Sequence, residues 1–178
     1  MKRAIHTILR AAVAGWLAVA STGAAAQALE HEVKAAFLFR FLSFVEWPQQ
    51  ALPAAEAPFV IGVVDADDVL AELQAIVPGR RVQGRPVTVQ RWREGGSLDG
   101  THALFVGRSA TGALARLREP RPVLVVSDES NGLARGSVIN FVAAEGRVGF
   151  EVALDEAERR GLRISSRMLA VARNVRRL

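Results

Sequence analysis

His102, Ser127, Asp128 and Glu129 are the residues whose types could build a hydrolytic site. A nucleophilic serine needs an imidazole base and a carboxylate to orient that base. These four residues sit at the ends of two apolar runs, where strand termini would present them. The Gly-x-Ser-x-Gly turn that exposes such a serine is missing, so plainer roles are expected. His102 enters an apolar run and should bond to backbone, while Asp128 should cap the turn before Asn131-Gly132. Phosphate-cradling glycine patterns are absent where a strand would feed a helix. Asp65, Asp67 and Asp68 lack the glycine turn and distal acid of a calcium loop, and helix capping accounts for them. Cysteine is absent from the chain, which excludes thiol catalysis and thiolate metal ligands. Beyond the first 26 residues only His31 and His102 remain as imidazoles, too few for an all-histidine metal site. No cofactor is implied.

The elements that would position these residues follow from periodicity. Phe59 to Val64 is a near-continuous apolar run with β-branched members, as expected of a strand buried on both faces. Val69, Leu70, Leu73, Ile76 and Val77 stripe the helix after it, which Pro78-Gly79 stops. Pro86 to Trp92 reads as a strand near a sheet edge, His102 to Gly107 as another, and Val123 to Val126 as a fourth. Ser109 is placed to cap a short helix from Ala110 to about Leu117. Residues 137–142 and 147–152 are strands whose short connection allows only an antiparallel hairpin. Asp155 and Glu158 resemble a capping box for a short helix that Gly161 ends. Ser165-Ser166 would cap a last helix striped by Ile164, Met168, Val171, Val175 and Leu178. The fold class is therefore α/β: a mostly parallel mixed sheet with an antiparallel hairpin near the C-terminus and helices on both faces. In such a sheet the carboxyl edge near Asp65, Arg108 and Ser127 could hold a small ligand.

One stretch exceeds what a single core needs. Four of the eight phenylalanines and Trp47 lie between residues 37 and 47. On a helix, Val33, Ala36, Phe37, Phe41, Phe44 and Trp47 share one broad face, whereas Phe39 and Leu42 fall outside it and Leu38 opposite it. A helix apolar on nearly every side must be covered from more than one side. Leu38, Phe39 and Leu42 are therefore the expected partner-binding surface, with Met168, Val171 and Val175 of the last helix as the second.

Compartment and charge narrow the partners. Lys2, Arg3 and Arg10, an apolar run and Ala24-Ala25-Ala26 form an export signal with cleavage expected after Ala26, a retained N-terminal anchor being the alternative. The remaining residues 27–178 are expected to make one domain, exported to a bacterial periplasm. Without the leader, 20 basic residues face 18 acidic ones, a charge of +2 rather than the +5 of the whole chain. Neither compartment nor charge favours nucleic acid.

Ordered landmarks carry a resemblance. Val33 to Leu38 running to Phe44-Val45-Glu46-Trp47-Pro48, Ile61-Gly62-Val63, His102 to Val106 and Val123 to Asp128 come first. Gly136 to Phe141, Val148 to Val152 and Gly161 to Ser166 complete the set. In that order they resemble the YfiR family of small periplasmic proteins across nearly the whole exported chain. The resemblance implies a non-catalytic homodimeric regulator. Such a regulator represses an inner-membrane diguanylate cyclase, or the periplasmic domain of a sensor kinase, by protein–protein contact, and so controls cyclic di-GMP and biofilm. The alternative is a periplasmic small-ligand sensor feeding a membrane signalling protein. The chain departs from the family pattern in having no cysteine, so redox gating does not carry over, and in Ala153, where relatives often have a polar residue.

Overall fold

The computed structural model describes residues 26–177 apart from 53–56, 111, 118 and 145, so the leader up to residue 25 lies outside the described residues. Residues 26–44 form the first helix, α1. Its buried side carries Lys34, Ala35, Leu38, Phe41 and Leu42. This corrects the expected rotation: Leu38 and Leu42 point into the core, while Phe37 and Phe44 are only half-buried. The physical reason is Lys34. A lysine just before an aromatic run reads as a solvent position, yet this one is 3 % exposed and brings its flank of the helix inward.

α1 ends before Trp47 because Val45–Glu46 (β1) pair antiparallel with Arg163–Ile164 (β9). Trp47 then packs against Phe59, with ring centroids 5.3 Å apart, and its indole N–H donates to the His102 carbonyl at 3.3 Å.

The main sheet is built from β2 (Phe59–Val64), β3 (Arg81–Val82), β4 (Arg85–Arg91), β5 (Ala103–Val106), β6 (Leu124–Ser127), β7 (Ile139–Ala144), β8 (Arg147–Ala153) and β10 (Asn174–Arg176). Its order is β10-β8-β7-β6-β5-β2-β4-β3. β4, β2, β5, β6 and β7 run parallel, and β8 turns back antiparallel on β7 as the short connection requires. The expected mixed α/β sheet is thus present. α1 and α2 (Asp67–Ile76) cover one face with the larger core cluster, which includes Phe41, Phe59, Leu73, Phe105, Phe141 and Phe150. The opposite face is closed over β2, β5 and β6 by α3 (Ala113–Arg116), through Ala113, Leu114 and Leu117 on Leu104, Val106 and Val125.

Four local expectations are corrected. α2 begins from Ala66 and α4 (Leu154–Arg159) from Ala153, both without a side-chain cap, so neither the aspartate cap nor the capping box forms. α3 starts from Gly112 rather than Ser109. The last helix is only α5 (Ser166–Leu169), capped as expected by the Ser165 hydroxyl on the Met168 N–H. Instead of continuing, the chain forms β10 alongside β8, with Val175 level with Val152. Apolar spacing alone cannot foresee this outcome, because the free edge of β8 offers backbone partners that a lone helical turn does not.

Candidate functional site

The carboxyl ends of β2, β5 and β6 lie side by side, with Val64 level with Val106 and Val106 level with Ser127. Asp65 leaves β2 with φ 49°, a left-handed turn. Its backbone comes so close to Gly107 that a side chain there would collide, its Cβ lying 2.8 Å from the Asp65 carbonyl carbon. Asp128 follows β6 and meets Lys34 of α1: Nζ lies 2.6 Å from Asp128 Oδ2 and 2.5 Å from Glu30 Oε1. Arg108 donates to Asp128 Oδ1 at 3.1 Å and to its backbone carbonyl at 3.3 Å. The Lys34 hydrogen bond holds the Glu30 carboxyl below its ordinary pKa, and the Asp128 hydrogen bond raises that of Arg108. Asp128 therefore ties α1 to the sheet, which corrects its expected role as a turn cap. The signal available in the sequence was Lys34 itself, an ammonium one helical turn before Phe37.

Of the three expected ligand-binding residues, Asp65 and Arg108 share a hollow of about 290 Å³ with Lys34 and Asp128. Ser127 is not among its lining residues. It is fully buried, its hydroxyl donating to Asn140 Oδ1 at 2.7 Å and lying 2.9 Å from Ser137 Oγ. Gly132 packs directly on this group, and a Cβ there would lie 2.5 Å from Asn140 Oδ1.

His102 stands at the amino end of β5, and Ser127 at the carboxyl end of β6. In a parallel pair that puts them at opposite edges of the sheet, on the order of 13 Å apart along the strands. The His102 Nδ1 already accepts from the Val60 N–H at 3.1 Å, and burial holds its pKa below the ordinary imidazole value. Serine and imidazole are thus not a catalytic pair, and His102 has the backbone-bonding role expected of it.

Beside this edge, Glu129 is nearly buried. Its Oε2 lies 2.7 Å from Arg135, and its Oε1 has no hydrogen-bond partner among the described residues. Burial pushes this carboxyl up, partly offset by Arg135. A raised folded-state pKa gives stability that is full below the unfolded value, about 4.3, and is lost as pH rises through the folded one. Glu129→Gln mimics the protonated form. The melting temperature of the variant minus that of the parent should therefore grow from about pH 4 towards neutrality. A difference that is flat or shrinks with pH would contradict this account.

The surplus aromatic area lies elsewhere. Phe37, Phe41 and Phe44 of α1, Phe150 of β8, Met168 of α5 and Val171 line an open cleft of about 200 Å³, with Arg40 and Arg167 also lining it. The ring of Phe41 stands edge-on to Phe150 at 5.0 Å, and that of Phe37 to the same ring at 5.5 Å. Backbone pairing holds the two walls together, since the Ser165 N–H donates to the Phe44 carbonyl at 2.9 Å. Met168 is 2 % exposed, whereas Val171 is 67 % exposed.

Of the expected partner-binding residues, Met168 and Val171 meet in this cleft. Leu38 and Leu42 are core, Phe39 is half-buried outside the cleft, and Val175 is exposed on β10. Phe37 and Phe44, which helical spacing places on the core face, line the cleft instead.

The profile of the YfiR/HmsC-like family matches residues 31–173. The chain belongs to the YfiR/HmsC-like family. The match bears out the resemblance carried by the ordered landmarks. It runs from His31 in α1 to Arg173, just before β10, and so takes in both walls of the cleft and the Lys34–Asp128 tie. No curated protein matches the chain. The YfiR/HmsC-like family is regulatory, and no helix among the described residues is long and apolar enough to cross a membrane. Ala153 is fully buried at the junction of β8 and α4, with its N–H donating to the Val138 carbonyl. An unpaired polar side chain would be costly there.

Proposed function

We propose that the protein is a periplasmic repressor that holds a membrane diguanylate cyclase inactive by direct contact through the cleft between α1 and α5. The single observation that carries this reading is the exposed apolar lining. Phe37 and Phe44 stay half-buried and Val171 largely exposed around one cleft, whereas the other exposed large apolar side chains among the described residues, Leu29 and Val175, do not line it. Apolar area of this kind, grouped and concave, is what partner recognition uses. In this reading residues 27–178 act as a single exported domain after cleavage at Ala26, and the working species is a homodimer. The family's regulatory character supports the reading, as does the separation of Ser127 from His102 across the sheet.

Val171→Asp tests it, since the side chain is exposed and the fold should survive. Cells carrying the variant should show cyclic di-GMP raised to the level of a strain lacking the protein, with an unaltered circular dichroism melt. A folded Val171→Asp protein that leaves cyclic di-GMP unchanged would count against the cleft as the contact. The small-ligand sensor reading keeps Asp65 and Arg108, which share a hollow, but loses Ser127 to the core.

A further inference from the structure

We infer that the segment seated in the α1/α5 cleft is acidic: one bulky apolar side chain flanked by carboxylates on the membrane partner. This rests on the reading of the cleft as a docking surface and adds the chemistry of its occupant.

Two observations carry it. Arg40 and Arg167 line the cleft from opposite walls, both exposed, and neither has an ion pair or hydrogen bond to a carboxylate among the described residues. Several surface arginines elsewhere are paired: Arg91 with Asp67, Arg108 with Asp128, Arg116 with Glu94, Arg121 with Asp99 and Arg177 with Glu158. Arg93 and Arg147, exposed and likewise without a carboxylate partner among the described residues, do not line this apolar cleft. A guanidinium is charged at any accessible pH and favours carboxylates in a forked geometry, so two unpaired ones beside an apolar cavity select an anionic neighbour.

The shape then decides what kind. A bilayer receives a protruding apolar face, and this one is concave. At about 200 Å³ the cleft is below the usual range of small-molecule sites, roughly 300–1,000 Å³, and suits a single side-chain anchor. A peptide segment fits both features, and a membrane surface fits neither.

The test measures fluorescence anisotropy of the purified protein with three labelled peptides. Each holds a central phenylalanine flanked on both sides by two glutamates, two glutamines or two lysines. The glutamate peptide should bind roughly tenfold more tightly than the glutamine one, from two exposed charge pairs, and the gap should shrink in 1 M salt. Arg40→Glu with Arg167→Glu should reverse the order in favour of the lysine peptide, with the melting temperature unchanged. Equal binding of the glutamate and glutamine peptides, binding of none, or an unaltered preference in the double variant would overturn the inference. So would binding confined to phosphatidylglycerol vesicles. If Val171→Asp raises cyclic di-GMP while the peptides show no charge preference, the acidic partner falls and the regulator reading stands. If charge selection holds and cyclic di-GMP does not move, the cyclase reading falls instead.

Discussion

Glu156→Ala is expected to destabilise the protein by about 3–5 kcal/mol, the cost of stranding a buried charge. The charge is Arg160, whose side chain is 1 % exposed and whose Nε lies 2.6 Å from Glu156 Oε1. Its Nη2 donates to the carbonyls of Leu117, at 2.6 Å, and Gly136, at 3.3 Å. Its Nη1 has no hydrogen-bond partner among the described residues. Burial already pulls the Arg160 pKa down, and the Glu156 hydrogen bond is the largest opposing influence. Removing that carboxylate leaves a guanidinium held by two neutral carbonyls where water cannot reach it. The reverse change is milder. Arg160→Met leaves Glu156 paired with Arg159 at 2.7 Å, so it should cost about 1–3 kcal/mol. Urea unfolding of both variants checks the asymmetry, and equal losses would refute it. The same latch joins α4 to the end of α3 and to the short turn Leu133–Arg135, so its loss should loosen one face of the sheet before the cleft.

Phe41→Ala should cost about 3–5 kcal/mol and lower the melting temperature by roughly 10 °C. Phe41 is 2 % exposed and is the hub of the aromatic cluster, with Phe37, Phe141 and Phe150 centred 5.8, 6.0 and 5.0 Å away. Alanine would leave a ring-sized void between α1 and the β7–β8 hairpin, and close packing prevents its full collapse. Phe41 also lines the α1/α5 cleft proposed for docking, so the variant should lose the glutamate peptide as well as stability. Denaturant unfolding with an unchanged slope would confirm that the native state, rather than the unfolded one, has been altered. A loss below about 1 kcal/mol would mean that the helix re-seats over the gap.

Much of the architecture was legible in the residue order. Phe59 to Val64 and Val123 to Val126 could be little else than strands buried on both sides, because no helix hides so short and uniformly apolar a run. The brief connection after Val142 dictated a hairpin. Ser165 announced the turn it caps, and the succession of short motifs was enough to place the chain in its family. These features depend on neighbours along the chain, where steric and hydrogen-bonding rules act locally.

Contacts between distant segments decided the rest. α1 is apolar almost all round, so its rotation was open until Lys34 met Asp128, 94 positions further on. That pair turned Leu38 and Leu42 inward and left Phe37 and Phe44 at the cleft. Parallel register sent His102 and Ser127 to opposite edges of the sheet, which no count of candidate residues along the chain could reveal. Val171 and Val175 shared a helical stripe in the sequence, yet β8 drew Val175 into a strand and left Val171 beside α1. The physical reason is common to all three cases. A side chain's direction and a strand's partner carry little free energy until another segment arrives, so only the assembled sheet could choose between patterns that were locally equal.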